Sequence, residues 1–327
     1  MRVRLGVSIL SAWLVAAACS DVTDLPPVAP PDGVSFVVFG DQPYTERDVA
    51  TFPGLVAEVN ETGVPFVIHV GDIKAGGDAC TDAIIVGRRD LYRGFDAPMV
   101  FTPGDNEWTD CHRAGGDPLE RLTFLRDAFY IGGDALPLPD SAVSQAQDGD
   151  PHGEFVENLR WVHDNVVFAT AHVVGSDNAR EGFDGRTAAD DAEVERREAA
   201  VTAWVEATFA EAERIAADAV VIAAHADVRF DMAARGAQAA PFQHFLQSLE
   251  RSVLGFDGPV LLLQGDTHSC LFDQPRFAPD REAPDNFWRL RVPGGGNQTG
   301  WLMVTLRPDT AAPVSVTPRM LRGGCSL

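Results

Sequence analysis

Short apolar runs recur along the chain from residue 34 onward, and most of them end at a glycine or a polar residue. Continuous apolar runs of this length are typical of strands that are buried on both faces of a sheet. The pattern therefore predicts strands in the following ranges: 34–39, 65–70, 98–101, 165–171, 218–223, 258–263, 286–292, 301–306 and 314–317.

Amphipathic segments between these runs predict helices. The longest spans 190–215, where apolar residues recur every three or four positions and form one face. Another helix is predicted to begin at Pro118, because Asp117 is a favourable capping residue and Glu120 follows the cap by three positions. Strands that alternate with helices indicate an α/β domain, which we place at 34–327.

The first 33 residues differ from the rest of the chain. A short basic start is followed by an apolar stretch that is too short to cross a bilayer, which predicts a signal peptide over 1–18. The small residues before Cys19 resemble the bacterial lipobox, so we expect cleavage before Cys19 and its lipidation as the new N-terminus. The alternative is an ordinary signal peptide with an incidental cysteine. Residues 19–33 contain four prolines and predict a stiff tether.

These features predict secretion across the inner membrane. We expect a lipoprotein of the cell envelope, facing the periplasm or lying at the surface, with the lipid as its membrane contact. The formal net charge is −22, and no basic stripe interrupts the sequence. Binding to nucleic acid depends on such basic surfaces, so we expect no nucleic-acid partner.

Cysteine usage agrees with an oxidising compartment. Four cysteines follow Cys19, and an even number in a secreted chain predicts two disulfides. Three pairings are possible, and buried free thiols are the alternative. We expect Cys80 to pair with Cys111, which lets one bridge brace two candidate site loops, and Cys270 to pair with Cys325.

Residue types that bind metals follow five of the predicted strands. The carboxyl ends of strands in an α/β sheet line one crevice, so these side chains are expected to converge there. Several carboxylates in one crevice repel each other unless cations neutralise them, and carboxylate oxygen and imidazole are common metal ligands. Each motif alone is weak evidence, whereas five in order favour a metal site. The motifs are Gly40-Asp41-Gln42-Pro43-Tyr44, Gly71-Asp72-Ile73-Lys74, Gly104-Asp105-Asn106-Glu107, Ala224-His225-Ala226-Asp227 and Gly265-Asp266-Thr267-His268.

This series resembles the calcineurin-like metallophosphoesterase superfamily, whose motifs run Asp-x-His, Gly-Asp, Gly-Asn-His/Glu, His and Gly-His-x-His. The resemblance covers residues 39–268, and the stretch 103–113 looks typical of a bacterial secreted branch. It implies a sandwich of two mixed β-sheets flanked by helices. It also implies hydrolysis of a small phosphomonoester or phosphodiester by a hydroxide that is bound to two metal ions, with iron, manganese, zinc or calcium as candidates.

The resemblance assigns ligands residue by residue. Asp72 matches the aspartate that bridges the two metals. Asp41 and His268 match ligands of one metal, and Asn106 and His225 match ligands of the other.

Three positions depart from the family pattern. Pro43 stands where the first motif has a histidine, and either Tyr44 or Gln42 could replace that ligand. Asp266 stands where the last motif has its first histidine, and an aspartate can still bind a hard metal ion. Glu107 replaces the histidine that would orient the phosphate or protonate the leaving group.

Other residues must then orient the phosphate and protonate the leaving group. We predict His112 as the general acid, because a histidine has a near-neutral pKa, and Arg113 as a clamp on phosphate oxygens. His112 could alternatively be an ordinary loop residue. Lys74 and Glu107 are further candidates for contact with the substrate, although Lys74 could instead neutralise nearby carboxylates.

A second hypothesis is a non-catalytic envelope lipoprotein that binds a metal or a partner through a degenerate site. Pro43 and Glu107 favour it. Five retained ligands favour the enzyme, because a scaffold that only binds a partner does not need to keep all five; they are Asp41, Asp72, Asn106, His225 and His268.

Overall fold

The structure is a computed structural model that describes residues 30–147, 151–230 and 240–327. The predicted signal peptide, Cys19 and most of the predicted tether lie outside these residues. Within the described ranges, no helix has the length and apolar character that crossing a membrane requires.

Twelve strands form within the described residues. They are β1 (Val34–Phe39), β2 (Val67–His69), β3 (Met99–Phe101), β4 (Val143–Ser144), β5 (Leu159–His163), β6 (Val166–Thr170), β7 (Ala219–Ala223), β8 (Val260–Gln264), β9 (Leu271–Asp273), β10 (Phe287–Arg291), β11 (Thr299–Leu306) and β12 (Val314–Arg322).

Helices connect most of these strands. The α-helices in the described parts of the chain are α1 (Glu46–Asn60), α2 (Asp82–Tyr92), α3 (Pro118–Arg126), α4 (Ala188–Ile215) and α5 (Gln243–Gly255). Shorter turns occupy Thr109–Ala114, Asp127–Ile131, Gly175–Ala179 and Ala240–Phe242.

The strands form two mixed sheets. Sheet 1 has the order β12-β11-β1-β2-β3, and its central strands β1, β2 and β3 are parallel. Sheet 2 has the order β4-β5-β6-β7-β8-β10-β9, and β6, β7, β8 and β10 are parallel. The parallel strands of both sheets carry the motifs singled out in the sequence.

The two sheets pack face to face. Successive side chains on a strand point to opposite faces, so Phe36 and Val38 of β1 enter the apolar layer between the sheets. Val37 and Phe39 enter the layer under helices α1 to α3. Helices α4 and α5 cover the outer face of sheet 2. The architecture is the predicted sandwich of two mixed β-sheets flanked by helices.

Most predicted elements are present, with some shifted ends. The long helix begins at Ala188, where Thr187 and Asp190 form a capping box, and Asp117 caps α3 as predicted. β12 continues beyond the predicted end and includes Pro318. It is an edge strand of sheet 1, where proline is tolerated because one side of the strand needs no hydrogen-bond donor. The short or antiparallel strands β4, β5 and β9 lacked a strong apolar run and were not predicted.

Both predicted disulfides are present. Cys80 is bonded to Cys111, and Cys270 is bonded to Cys325. Disulfides persist in oxidising compartments, so the two bridges are compatible with a protein outside the cytoplasm.

Candidate metal centre

The candidate site lies where five strands of the two sheets end. β1, β2 and β3 lead into Asp41, Asp72 and Asp105, and β7 and β8 lead into His225 and Asp266. Parallel strands deliver their carboxyl ends to the same edge of a sheet, so the topology brings these side chains into one crevice.

The backbone at this edge is held in an uncommon conformation. Four predicted ligands have a positive φ, namely Asp41 (52°), Asp72 (61°), Asp266 (72°) and His268 (56°). The left-handed region is unfavourable for residues that carry a Cβ atom, and such strain tends to cluster at functional sites. The surrounding fold therefore holds these four residues against their own backbone preference.

Two glycines let the loops after β2 and β3 pack directly against each other. A Cβ atom at Gly71 would lie 2.6 Å from the amide nitrogen of Gly104, and one at Gly104 would collide with the carboxylate of Asp72. Only glycine leaves room for this approach.

His225 follows β7 of sheet 2 and contacts the loops after β2 and β3 of sheet 1. Its Nδ1 lies 2.7 Å from the carbonyl oxygen of Val70, which leaves Nε2 facing carboxylates. Nε2 lies 3.0 Å from Asp105 Oδ1 and 3.3 Å from Asp72 Oδ1. Burial opposes protonation, but the Asp72 and Asp105 carboxylates raise the pKa of His225 well above its usual value. A cation could take the place of that proton between the same atoms.

Asp41 lies on the other side of the crevice. Its Oδ1 accepts a hydrogen bond from the backbone N–H of Asp266 at 3.0 Å and lies 3.4 Å from His268 Nε2. Its Oδ2 is buried, and no hydrogen-bond partner for it is found among the described residues. Burial raises the pKa of Asp41 to about 8, although His225 opposes the shift. An unpartnered buried carboxylate oxygen is costly, and a metal ion would satisfy it.

Two groups of side chains in the described part of the chain could hold a metal ion. One consists of Asp41, Asp72 and His225, and the other consists of Asp105, His225 and Asp266. Within each group the candidate ligand atoms lie within 4.8 Å of one another. This set of carboxylate and imidazole donors suits hard and borderline divalent or trivalent ions. The residues present therefore fit a two-metal centre.

Tyr44 and Asn106 complete the cluster around Asp72. The Asn106 Nδ2 group lies 2.5 Å from Asp72 Oδ2 and also donates to the carbonyl oxygen of Lys74. The Tyr44 hydroxyl donates to Asp72 Oδ2 at 2.7 Å. Gln42 points elsewhere, because its Nε2 donates to the carbonyl oxygen of Gly300 at 2.6 Å. Of the two residues that could replace the first-motif histidine, Tyr44 is the one in the crevice.

Glu107 and Lys74 are buried beneath the crevice. Glu107 Oε1 accepts hydrogen bonds from the backbone N–H groups of Gly104 and Asp72, and Oε2 accepts one from Ile73. Lys74 Nζ donates to the carbonyl oxygens of Ala75 and Asp78, at 3.0 Å each. These bonds hold both side chains against the backbone. The geometry therefore favours a structural role over the predicted contact with the substrate.

His112 and Arg113 lie on the turn that follows the third motif. His112 Nδ1 is bonded to the carbonyl oxygen of Thr109, and its ring stacks on Phe183 with centroids 4.4 Å apart. Arg113 is partly exposed and forms ion pairs with Asp110 at 2.5 Å and Glu181 at 3.0 Å. These contacts do not bring His112 to a predicted ligand.

A left-handed turn links Arg113 to the crevice. Ser176, Asp177 and Asn178 all have φ between 50° and 56°. The Ser176 hydroxyl lies 2.8 Å from Asp105 Oδ2, and Arg113 Nη2 donates to this hydroxyl at 3.2 Å. The turn was not predicted, because its conformation depends on distant partners.

Comparisons with known proteins support the fold. No protein-family model matches the chain, and no curated protein matches it. A dimetal phosphatase from Danio rerio superposes with a TM-score of 0.54 and 13% identity, over 89% of this chain and 97% of that chain. Purple acid phosphatase PPD1 from yellow lupin (Lupinus luteus) seeds superposes with a TM-score of 0.52 and 11% identity, over 91% of this chain and 52% of that chain. The chain thus spans about half the length of the lupin enzyme.

The chain has a metallophosphoesterase-type fold. At these identities the likeness concerns the architecture, and the roles of individual residues depend on the site geometry.

The geometry adds one candidate ligand to those assigned from the sequence. Asn106 was expected to share a metal with His225, and the structure also groups the carboxylate of Asp105 with His225 and Asp266. Asp105 directly follows Gly104, as the asparagine directly follows the glycine in the family's Gly-Asn motif. That spacing was the sequence signal for Asp105. Asn106 remains in the cluster, but its amide nitrogen faces Asp72.

Proposed function

We propose that this protein hydrolyses phosphate esters at a two-metal centre. The observation that carries the proposal is the pair of donor groups that share His225, together with the buried and unpartnered Oδ2 of Asp41. When bound, two metal ions would bind phosphate oxygens and lower the pKa of a water molecule that attacks phosphorus.

The residues divide naturally between two ions. His225 offers one free nitrogen, Nε2, and would therefore serve a single ion. Asp72 has one oxygen facing His225 and the other facing Tyr44, which supports our proposal that its carboxylate serves both ions. We propose Asp41 and His268 as further ligands on the Tyr44 side.

Asp105 and Asp266 are proposed as ligands on the His225 side. Asn106 lies between the two sides and could supply its amide to either a metal or the phosphate.

A cavity beside the crevice offers space for the organic part of a small ester. It has a volume of 850 Å³, and Tyr44 is one of its lining residues. The lining combines apolar side chains such as Ile84 with the basic residue Arg88 and the acidic residues Glu46 and Asp78. We propose that the alcohol portion of the substrate lies here while the phosphate faces the ligands.

His112 and Arg113 remain proposals for substrate chemistry. Arg113 lies at the rim of the site, and it could exchange its contact with exposed Glu181 for phosphate oxygens. His112 would have to leave its stack on Phe183 to donate a proton to the leaving group.

Metal analysis combined with two chromogenic substrates tests this function. We expect the purified protein to contain metal and to hydrolyse p-nitrophenyl phosphate, bis-p-nitrophenyl phosphate or both. Asp72→Asn should abolish turnover and leave the fold intact, whereas Asp257→Asn, at an exposed position, should change neither. Full activity in Asp72→Asn would refute the site.

The non-catalytic hypothesis retains one supporting observation. Glu107 accepts hydrogen bonds from backbone N–H groups, and His112 is bonded to Thr109 and stacks on Phe183. Neither side chain is therefore in place to protonate a leaving group. Bound metal without hydrolysis of either ester would favour this second function.

We also propose that the protein acts outside the cytoplasm as an envelope lipoprotein attached through Cys19. The two disulfides support an oxidising compartment. Incorporation of labelled palmitate into the wild-type chain, and its loss in Cys19→Ala, would test the anchor. Equal labelling of both chains would contradict it.

A further inference from the structure

The hydroxyl group of Tyr44 lies among predicted ligands from three different strands. It is 2.7 Å from Asp72 Oδ2, 3.0 Å from Asn106 Nδ2 and 3.1 Å from His268 Nε2. These partners follow β2, β3 and β8, whereas Tyr44 itself follows β1. The side chain is 9% exposed, so its oxygen is placed inside the cluster and not at its rim.

The local sequence explains this position. Pro43 occupies the place of the first-motif histidine and offers no ligand atom. Gln42 is held by Gly300, through its Nε2 at 2.6 Å and its Oε1 at 3.3 Å. Tyr44 is therefore the residue of this loop that can reach the metal position beside Asp41.

We propose that the Tyr44 oxygen is itself a metal ligand and completes the half of the centre that holds Asp41 and His268. This inference rests on the proposed two-metal function. His268 Nε2 lies 3.1 Å from the Tyr44 oxygen and 3.4 Å from Asp41 Oδ1, so one ion could contact all three residues. The chemical class of the ion is a hard Lewis acid, because a phenolate oxygen is a hard, anionic donor.

The ligand role and a simple hydrogen-bonding role predict different behaviour when a metal ion binds. A tyrosine that only had to orient Asp72 would function equally well in any metal state. A ligand, in contrast, must release its hydroxyl proton to solvent when the cation binds, and the bound phenolate then has a different optical spectrum.

Ferric iron is a suitable probe, because phenolate oxygen bound to iron(III) gives a visible charge-transfer band. The protein would be stripped with a chelator and reloaded with one equivalent of iron(III), and bound iron would be measured alongside the absorption and resonance Raman spectra. The chain contains three tyrosines, so the source of a band can be assigned by substitution. Tyr130 is a matched control, since its hydroxyl donates to the carbonyl oxygen of Phe101 at 2.9 Å.

We expect the band in the wild type and in Tyr130→Phe, and its loss in Tyr44→Phe. Tyr44→His replaces the phenol by an imidazole ligand, so it should keep bound iron without the band. That variant also tests the proposal if Tyr44→Phe folds poorly by circular dichroism.

Bound iron without a tyrosinate band in the wild type would overturn the ligand assignment and leave the two-metal proposal standing. Persistence of the band in Tyr44→Phe would do the same. A wild-type protein that retained none of iron, manganese, zinc and calcium would overturn both proposals.

Discussion

Glu107 offers the clearest test of how the site is built, because its structural and substrate-binding roles predict different results. Its side chain is fully buried, and its carboxylate joins the loop after β2 to the loop after β3. Oε1 accepts from Gly104 N at 2.5 Å and from Asp72 N at 3.2 Å, and Oε2 accepts from Ile73 N at 3.3 Å. Glu107→Gln preserves the shape but converts one of these oxygens into an amino group that cannot accept.

The expected loss can be worked out from these bonds. If the remaining oxygen keeps the two Oε1 partners, the N–H of Ile73 faces a donor and stays unsatisfied. A buried donor without a partner costs about 1–3 kcal/mol. In a domain of this size each kcal/mol lowers Tm by about 2 °C, so Glu107→Gln should lower Tm by about 2–6 °C. Glu107→Ala removes both acceptor oxygens and all three hydrogen bonds, and its loss should be roughly two to three times larger.

Calorimetry, metal analysis and steady-state kinetics together distinguish the two roles. We expect Glu107→Gln to lower both Tm and metal affinity, because Asp72 and Asp105 lose their common support. Glu195→Gln, at an exposed position on α4, should leave all three measurements unchanged. An unchanged Tm with an increased KM would refute the structural role and restore Glu107 as a substrate ligand.

Three further variants test other parts of the structure. Asp105→Asn should lower the metal content from two ions towards one, measured by elemental analysis, because it removes a charged ligand beside His225. The double variant Cys80→Ser/Cys111→Ser opens a bridge across 31 residues and should cost about 3–4 kcal/mol in chemical denaturation. Arg126 lowers the pKa of Glu157 to about 2 despite its burial, so stability present above pH 4.5 should fall as the pH drops towards 2, and Glu157→Gln should flatten this dependence.

Each of these three predictions has an outcome that would contradict it. Two bound ions in Asp105→Asn would mean that the charge of Asp105 is not required to hold the second ion. Unchanged denaturation of the double serine variant would mean that the bridge does not brace the site loops. A denaturation curve of the wild type that did not change between pH 5 and pH 2.5 would contradict the role of the Arg126–Glu157 pair.

The strands that carry the site were predictable from sequence because they are buried on both faces. A run such as Val34–Phe39 has a single small polar residue, Ser35, and lacks the alternating polar positions of a surface strand, and the glycine after it marks the end of the strand. Chain order then places Asp41, Asp72 and His225 at one edge without further information. Element type and the approximate location of the site therefore follow from local rules.

The directions of individual side chains did not follow from the same rules. The directions of the Asp105 and Asn106 side chains depend on how the loop turns after Gly104, which is decided by its packing against Gly71. The left-handed turn at Gly175–Ala179 depends on buried Arg197, which donates to Asn178 Oδ1 at 2.5 Å. Contacts between residues far apart in sequence fix these details, and no local pattern encodes them.

The departures from the family motifs have a common physical consequence for the metal. In the proposed centre, the oxygens of Tyr44 and Asp266 take the place of the imidazoles expected at the first and last motifs, and Asp105 adds a further carboxylate. Among the described ligand candidates, only His225 and His268 then offer a nitrogen atom to a metal ion. Because oxygen ligands favour hard cations and imidazole favours zinc, this donor set shifts the expected preference among the candidate metals towards iron, manganese or calcium. Elemental analysis of the purified protein measures this directly, and a centre filled with zinc alone would contradict it.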